Sequence, residues 1–176
     1  ADQTNGIDDL RPLTFLMHKR VDMYAEKSTL DHLSRQFAYC FHTPPGSEYP
    51  PIITAHVIPE PFALFTVEGA GGSLPVLAFW QEHGPTRSLG FRFGGLAYSS
   101  DVSRLDESAF AALEGVDTWI VDALRYRAHP THANVETALS WIARVRPKHA
   151  VLTNLHMDID YAELAAQGTT KDRGLG

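Results

Sequence analysis

Four apolar, strand-like runs of the chain each lead into a polar residue that could do chemistry. These residues are His83, Asp101, His132 and His156. Polar groups that leave the C-terminal ends of buried strands are well placed for a shared site, because a rigid sheet fixes their positions. Imidazole and carboxylate groups bind zinc or manganese, and imidazole also moves protons at neutral pH. The pattern predicts a metal-dependent hydrolase.

Each of these residues also has an ordinary structural explanation. His83 could bond its own turn, and Asp101 could cap the helix predicted after it. His132 lies near the start of a predicted helix, where the dipole disfavours a protonated ring, so a neutral imidazole there suits a proton shuttle or a substrate contact. His156 and Asp158 have the period-two spacing of one strand face, and either could be the ligand; we favour His156. The metal-site hypothesis therefore depends on the convergence of these residues.

Other catalytic classes find no support in the sequence. It contains no Gly-x-Ser-x-Gly motif and no P-loop, and Cys40 falls on the apolar face of a predicted helix, so a Ser or Cys nucleophile is not indicated. Because Cys40 is the single cysteine, no internal disulfide is possible, and a reducing cytoplasmic location is expected.

Composition restricts the partners. The 176 residues carry a net charge of −6, which argues against a nucleic-acid interface, and no apolar stretch approaches the roughly 20 residues that span a bilayer. We expect a small-molecule substrate and no membrane or nucleic-acid partner. A homodimer is compatible with the sequence.

Hydrophobic periodicity predicts the elements that must position the candidate residues. The predicted strands are residues 21–25, 52–58, 62–68, 74–81, 88–93, 96–100, 119–123 and 149–153. The predicted helices are residues 28–39, 106–113, 134–145 and 160–166. Strands dominate the first part and βαβ units follow, so we predict an α/β fold with helices packed on a sheet in one domain.

The start of the chain and five internal segments carry a family resemblance. The chain begins Ala-Asp-Gln-Thr-Asn-Gly-Ile-Asp-Asp-Leu-Arg, and the internal segments are residues 81–84, 88–91, 98–102, 122–127 and 152–156. With these segments the sequence resembles the metallo-β-lactamase superfamily, specifically the cyclic-phosphate phosphodiesterases of the carbon–phosphorus lyase pathway. Members of that branch carry a His-x-His-x-Asp-His motif that runs into Gly-Ile-Asp-Asp-Leu-Arg. The likeness extends over residues 1 to about 166.

The resemblance implies an αββα sandwich with a site for one or two ions of zinc or manganese, about 3.5–4 Å apart when both are bound. Asp2 matches a ligand of the second ion, and His83 matches the third ligand of the first. Asp101 matches the carboxylate that bridges both ions, and His156 is the nearest match to the last histidine of the second site. His132 matches a histidine that assists the leaving group. The implied substrate is a small cyclic phosphate or nucleotide-like phosphodiester.

The chain departs from the family pattern in three places. The first two motif histidines would lie upstream of Ala1, Gln3 stands where the last motif histidine belongs, and Asn154 and Met157 stand where the family often has histidines. We therefore expect residues 1–166 to be the C-terminal portion of a single domain, followed by a disordered tail at residues 167–176. On its own this portion is expected to be inactive. The alternative is a non-catalytic descendant that binds a ligand or a partner.

Overall fold

A computed structural model describes residues 4–171 of the chain, with side chains as far as residue 166. The chain forms two compact units, Ala1–Glu60 and Pro61–Gly176. The predicted α/β class is confirmed, since both units contain strands together with helices. Among the described residues, no helix combines the length and the apolar character needed to cross a membrane.

The unit Ala1–Glu60 is built on two parallel strands. Its elements are a 3-10 helix at Asn5–Leu10, α1 at Arg11–Met17, β1 at Val21–Ala25, α2 at Lys27–Gln36, α3 at Ala38–Phe41 and β2 at Ile53–Val57. Parallel strands need a crossover connection, which α2 and α3 supply. The predicted helix at residues 28–39 is interrupted at Phe37, whose backbone is not helical. The break brings Cys40 and Phe41 into the core together with Leu33.

The unit Pro61–Gly176 is a six-stranded sheet with helices. Its elements are β3 at Leu64–Gly69, β4 at Gly72–His83, β5 at Thr86–Phe93, β6 at Leu96–Ser99, α4 at Glu107–Leu113, β7 at Thr118–Asp122, α5 at Val135–Val145, β8 at His149–Thr153 and α6 at Tyr161–Lys171. The strands lie in chain order, β3 to β8. The pairing is antiparallel from β3 to β6 and parallel from β6 to β8.

The strand directions determine where the candidate residues lie. Because β4 and β6 both run antiparallel to β5, they point the same way, and β7 and β8 run parallel to β6. The C-terminal ends of β4, β6, β7 and β8 therefore meet at one edge of the sheet. His83, Asp101, Asp122 and Asn154 lie at or just after these four ends.

The core of this unit makes that edge rigid. Phe79, Trp119 and Val121 are fully buried on the strands, and Leu113 of α4 packs into the same cluster. Asp106 caps α4 by accepting a hydrogen bond from the Ala109 amide. Dense apolar packing with few voids holds strand ends in fixed positions.

Candidate metal centre

Three potential metal ligands come together at this sheet edge. They are His83, Asp101 and His132, and one ligand atom from each lies within 4.8 Å of the other two. All three side chains are partly buried, and the rings of His83 and His132 meet edge to face with centroids 4.9 Å apart. Sequence reasoning selected all three residues.

The His83 ring is oriented by a backbone carbonyl. Its Nδ1 lies 2.7 Å from the Thr131 oxygen, which can only accept, so Nδ1 carries the hydrogen. The other ring nitrogen, Nε2, then has a free lone pair, which is the form that binds a metal ion. Gly84 allows this approach, because a Cβ at that position would lie 2.6 Å from Cγ2 of Thr131.

Asp101 has an unusual backbone. Its φ of 52° is left-handed, a conformation that non-glycine residues adopt uncommonly. The residue follows the end of β6, and its Oδ1 lies 3.9 Å from Nδ1 of His132. The carboxylate therefore lies beside the two imidazoles.

Asp122 lies beneath the three candidate ligands and was not selected from the sequence. It is fully buried at the end of β7. Its carboxylate accepts from Nδ1 of His132 at 2.6 Å, from the Val102 amide at 3.2 Å and from Nδ2 of Asn154 at 3.3 Å. Three donors compensate the burial of a carboxylate. The pairing with His132 gives that ring an Nδ1–H and leaves Nε2 available.

His129 sits beside His132, with ring centroids 5.1 Å apart. Burial lowers the pKa of His129 below its usual value, and the charge of Arg125 lowers it further. The lowered pKa favours the neutral ring at physiological pH.

The two other predicted ligands are not brought into this group. Among the described residues, no cluster of ligand atoms at this spacing contains His156, whose Nδ1 instead lies 3.3 Å from Asp158. Its backbone amide donates to the Leu124 oxygen. Asp2 lies outside the described residues. Metal binding by His156 and Asp2 stays a prediction.

The residues that do converge suit a divalent ion. A carboxylate beside imidazole nitrogens is a donor set that zinc and manganese use. The free Nε2 of His83 and the Asp101 carboxylate supply that chemistry, and His132 lies within reach of both.

The sequence matches a known protein family over most of its length. Residues 1–157 match a family described as the beta-lactamase superfamily domain, which is most of the chain. The chain belongs to this superfamily. This match confirms the predicted resemblance to metallo-β-lactamase-type proteins. The predicted branch of that superfamily matches as well.

Two solved structures share the fold. A diphosphatase of the PhnP family is 29% identical with a TM-score of 0.78, and the match covers 93% of this chain and 59% of that protein. The metallo-β-lactamase fold protein YhfI from Bacillus subtilis is 16% identical with a TM-score of 0.71, over 96% of this chain and 66% of YhfI. At that identity YhfI supports the fold alone.

A curated relative is similar in sequence. An octanoyltransferase from Porphyromonas gingivalis is 28% identical over 156 residues, which cover 88% of this chain and 30% of the relative. The chain thus spans less than a third of this relative and about 59% of the diphosphatase.

Proposed function

We propose that this chain carries the catalytic edge of a metal-dependent hydrolase that acts on a phosphodiester, either a cyclic phosphate or a nucleotide-like ester. The observation that carries the proposal is the convergence of His83, Asp101 and the Asp122-bound His132 at one sheet edge. The similarity to a diphosphatase of the PhnP family supports a phosphorus ester as substrate.

Each residue has a distinct part in the proposal. Nε2 of His83 and the Asp101 carboxylate hold the ion, which is zinc or manganese. A divalent ion there would activate water for attack and offset negative charge on the phosphoryl oxygens. Asp101 follows β6 and His83 ends β4, so the sheet fixes the separation of these two ligands.

His132 is proposed to assist departure of the leaving group as a general acid. Asp122 accepts from its Nδ1 and fixes the orientation of the ring, so Nε2 is the nitrogen that would deliver a proton to the departing oxygen. General acid catalysis of this kind typically contributes about 10²- to 10⁴-fold. The same geometry also suits a metal ligand, because ligating histidines commonly donate their second ring N–H to a carboxylate.

A second candidate function is ligand or partner binding by a non-catalytic descendant. Asn154 favours it, because an amide stands where the family often has a histidine, and its Nδ2 lies 3.3 Å from both Oδ1 of Asp122 and Nδ1 of His132. Metal content after purification separates the two functions, since a hydrolase of this type needs at least one bound ion. The expected cytoplasmic location and homodimer stay predictions.

The test compares two histidine variants of the full-length protein. His83→Ala should remove metal and activity together. His132→Ala should lower turnover of an alkyl phosphodiester about 10²- to 10⁴-fold while metal content stays at the wild-type level. The loss should be smaller for a nitrophenyl ester, because that leaving oxygen needs no proton. Elemental analysis and steady-state rates measure the two effects.

His149→Ala is the matched control, since it removes an exposed imidazole at the start of β8. It should leave both metal and turnover unchanged. If His132→Ala removes metal as completely as His83→Ala does, His132 is a ligand and its assigned role is wrong. A wild-type protein without metal and without phosphodiesterase activity would favour the non-catalytic descendant.

A further inference from the structure

The backbone of Asp101 needs support. A left-handed φ of 52° at a non-glycine residue is costly and persists only where the surroundings enforce it. Asp101 is also the proposed carboxylate ligand, so its backbone conformation decides where the ligand oxygens lie. The side chains that hold this turn are therefore candidates for a functional role.

A buried polar pair on neighbouring strands holds the turn from one side. Gln81 of β4 lies directly opposite Ser88 of β5 in the strand register. Nε2 of Gln81 donates to the Ser100 oxygen at 3.1 Å and to Oγ of Ser88 at 3.2 Å. Oγ of Ser88 donates to the Asp101 oxygen at 2.7 Å. The two carbonyl groups on either side of the Asp101 Cα are thus both bound by this pair.

Asp122 holds the same turn from the other side. Its Oδ2 accepts from the Val102 amide and also from Nδ1 of His132. The turn that carries Asp101 is therefore tied directly to the carboxylate that orients His132. A displacement of the turn would alter both the proposed ligand and the proposed proton donor.

The burial of Gln81 on β4 costs folding free energy. The residue is 2% exposed, and its Oε1 is buried without a hydrogen-bond partner in the described part of the chain. An unpaired buried acceptor costs free energy that an apolar side chain would avoid. The amide donor, which reaches the Ser100 oxygen, is what an apolar residue could not provide.

We infer that Gln81 and Ser88 are positioning residues, which hold Asp101 in its left-handed conformation so that its carboxylate meets the ion bound by His83. This inference rests on the proposed metal-dependent function. Neither residue is assigned contact with metal or substrate, and both act through the backbone on either side of the Asp101 Cα.

The competing explanation is a polar network that only stabilises the fold. Ser99 and Trp119 provide a matched control, because Nε1 of Trp119 donates to Oγ of Ser99 at 3.1 Å and both residues are fully buried. This bond joins two side chains, and Ser99 is only two residues from Asp101. Its loss should lower the stability of the fold as a whole without releasing the Asp101 carbonyl or the turn that carries it.

The experiment compares Ser88→Ala and Ser99→Ala in the full-length protein, with Zn²⁺ as the probe. Ser88→Ala should weaken Zn²⁺ affinity about 10- to 100-fold. In the metal-free protein it should speed amide hydrogen exchange at Val102 about fivefold, the effect of one lost hydrogen bond. Ser99→Ala should lower the melting temperature but change neither quantity. Gln81→Met, which keeps the chain length without the amide donor, should behave like Ser88→Ala.

Each other outcome has a definite meaning. Wild-type Zn²⁺ affinity in Ser88→Ala, or an equal loss of affinity in Ser99→Ala, overturns the positioning inference while the proposed function stands. If the wild-type protein binds neither Zn²⁺ nor Mn²⁺, the proposed function fails, and with it the metal-positioning role of Gln81 and Ser88. The exchange rate of Val102 tests separately whether Ser88 holds the turn, and an unchanged rate in Ser88→Ala overturns that step of the inference.

Discussion

The buried carboxylate of Asp122 connects more of the site than any candidate ligand does. It accepts hydrogen bonds from His132, Val102 and Asn154, so it joins the proposed proton donor, the turn after β6 and the turn after β8. A carboxylate that is removed from water needs such donors to replace the hydrogen bonds of the solvent. The contacts of Asn154 also give a structural use to a residue that departs from the family pattern.

We predict that Asp122→Asn uncouples catalysis from metal binding. An amide keeps the shape of the carboxylate, but its NH2 group accepts no hydrogen bond. The remaining oxygen alone cannot accept from all three donors. His132 should lose the partner that fixes its tautomer, and turnover should fall about 10²-fold or more, as expected when a general acid is misplaced. The unpaired donors should lower the free energy of unfolding by about 1–3 kcal/mol. Steady-state rates, elemental analysis and denaturant unfolding measure these effects.

Asp106→Asn is the control for removing a carboxylate from this unit. Asp106 accepts from the Ala109 amide at the start of α4, and Asn caps helices about as well as Asp. Turnover and stability should therefore stay near the wild-type values. Wild-type turnover in Asp122→Asn would contradict the role given to the Asp122–His132 pair, as would an equal loss in Asp106→Asn.

The sequence predicts the roles of some of these residues but not of others, and the difference has a physical reason. His83 and Asp101 interrupt or follow apolar runs at strand ends, so their types and places indicate a shared edge. Asp122 ends a similar run, but its complete burial depends on donors from three separate segments. Sequence spacing does not show such a contact, so the sequence places Asp122 at a strand end within a family-like segment but does not indicate its role.

At the scale of the elements, hydrophobic periodicity predicts which segments are strands and helices. It fails where the backbone angles of a single residue determine where an element begins or ends. The predicted strand at residues 62–68 begins at Leu64 instead, because Phe62 has a left-handed φ of 71°. The helix predicted over residues 28–39 ends at Gln36 for a comparable reason, since Phe37 leaves the helical region. Side-chain type alone carries little information about these angles.

The turn between β4 and β5 is predicted to be a sensitive connection. Gly84 has a φ of 63°, and a Cβ there would lie 2.6 Å from Cγ2 of Thr131 and 3.2 Å from the Pro130 oxygen. Gly84→Ala should therefore push away the segment whose Thr131 oxygen orients His83. We expect a loss of stability above the roughly 1–2 kcal/mol of left-handed strain, together with weaker metal binding. Denaturant unfolding and Zn²⁺ titration measure both.

Gly94→Ala is the control that separates backbone strain from the steric clash expected in Gly84→Ala. Gly94 lies in the next hairpin turn with a φ of 60°, but a Cβ there meets no atom within 4 Å. It should show the cost of strain alone and wild-type Zn²⁺ affinity. Equal destabilisation and equal affinity in the two variants would show that the contact of Gly84 with Thr131 does not matter for the site.

At the scale of the whole molecule, the described residues form two units, each with its own core. Within the unit Pro61–Gly176, large apolar side chains are exposed on the strands, with Leu64 at 72% and Leu74 at 46%. Exposed apolar side chains that cluster on a surface indicate places where further structure packs. The match covers only 59% of the length of the related diphosphatase, which agrees with further structure packing on these strands. Both observations support the proposal that more residues complete the domain.

That proposal yields a prediction for the 176-residue chain by itself. A catalytic zinc site normally has three protein ligands besides water, and this chain offers His83 and Asp101 as the assigned ligands of the first ion. If His132 serves as a proton donor, two ligands remain, and the ion should be held weakly. We expect the isolated chain to contain much less than one equivalent of zinc after dialysis and to show little phosphodiesterase activity. The full-length protein is the control and should retain its metal under the same dialysis. Stoichiometric zinc that survives dialysis in the isolated chain would contradict the prediction, and its loss on His132→Ala would then identify His132 as the third ligand.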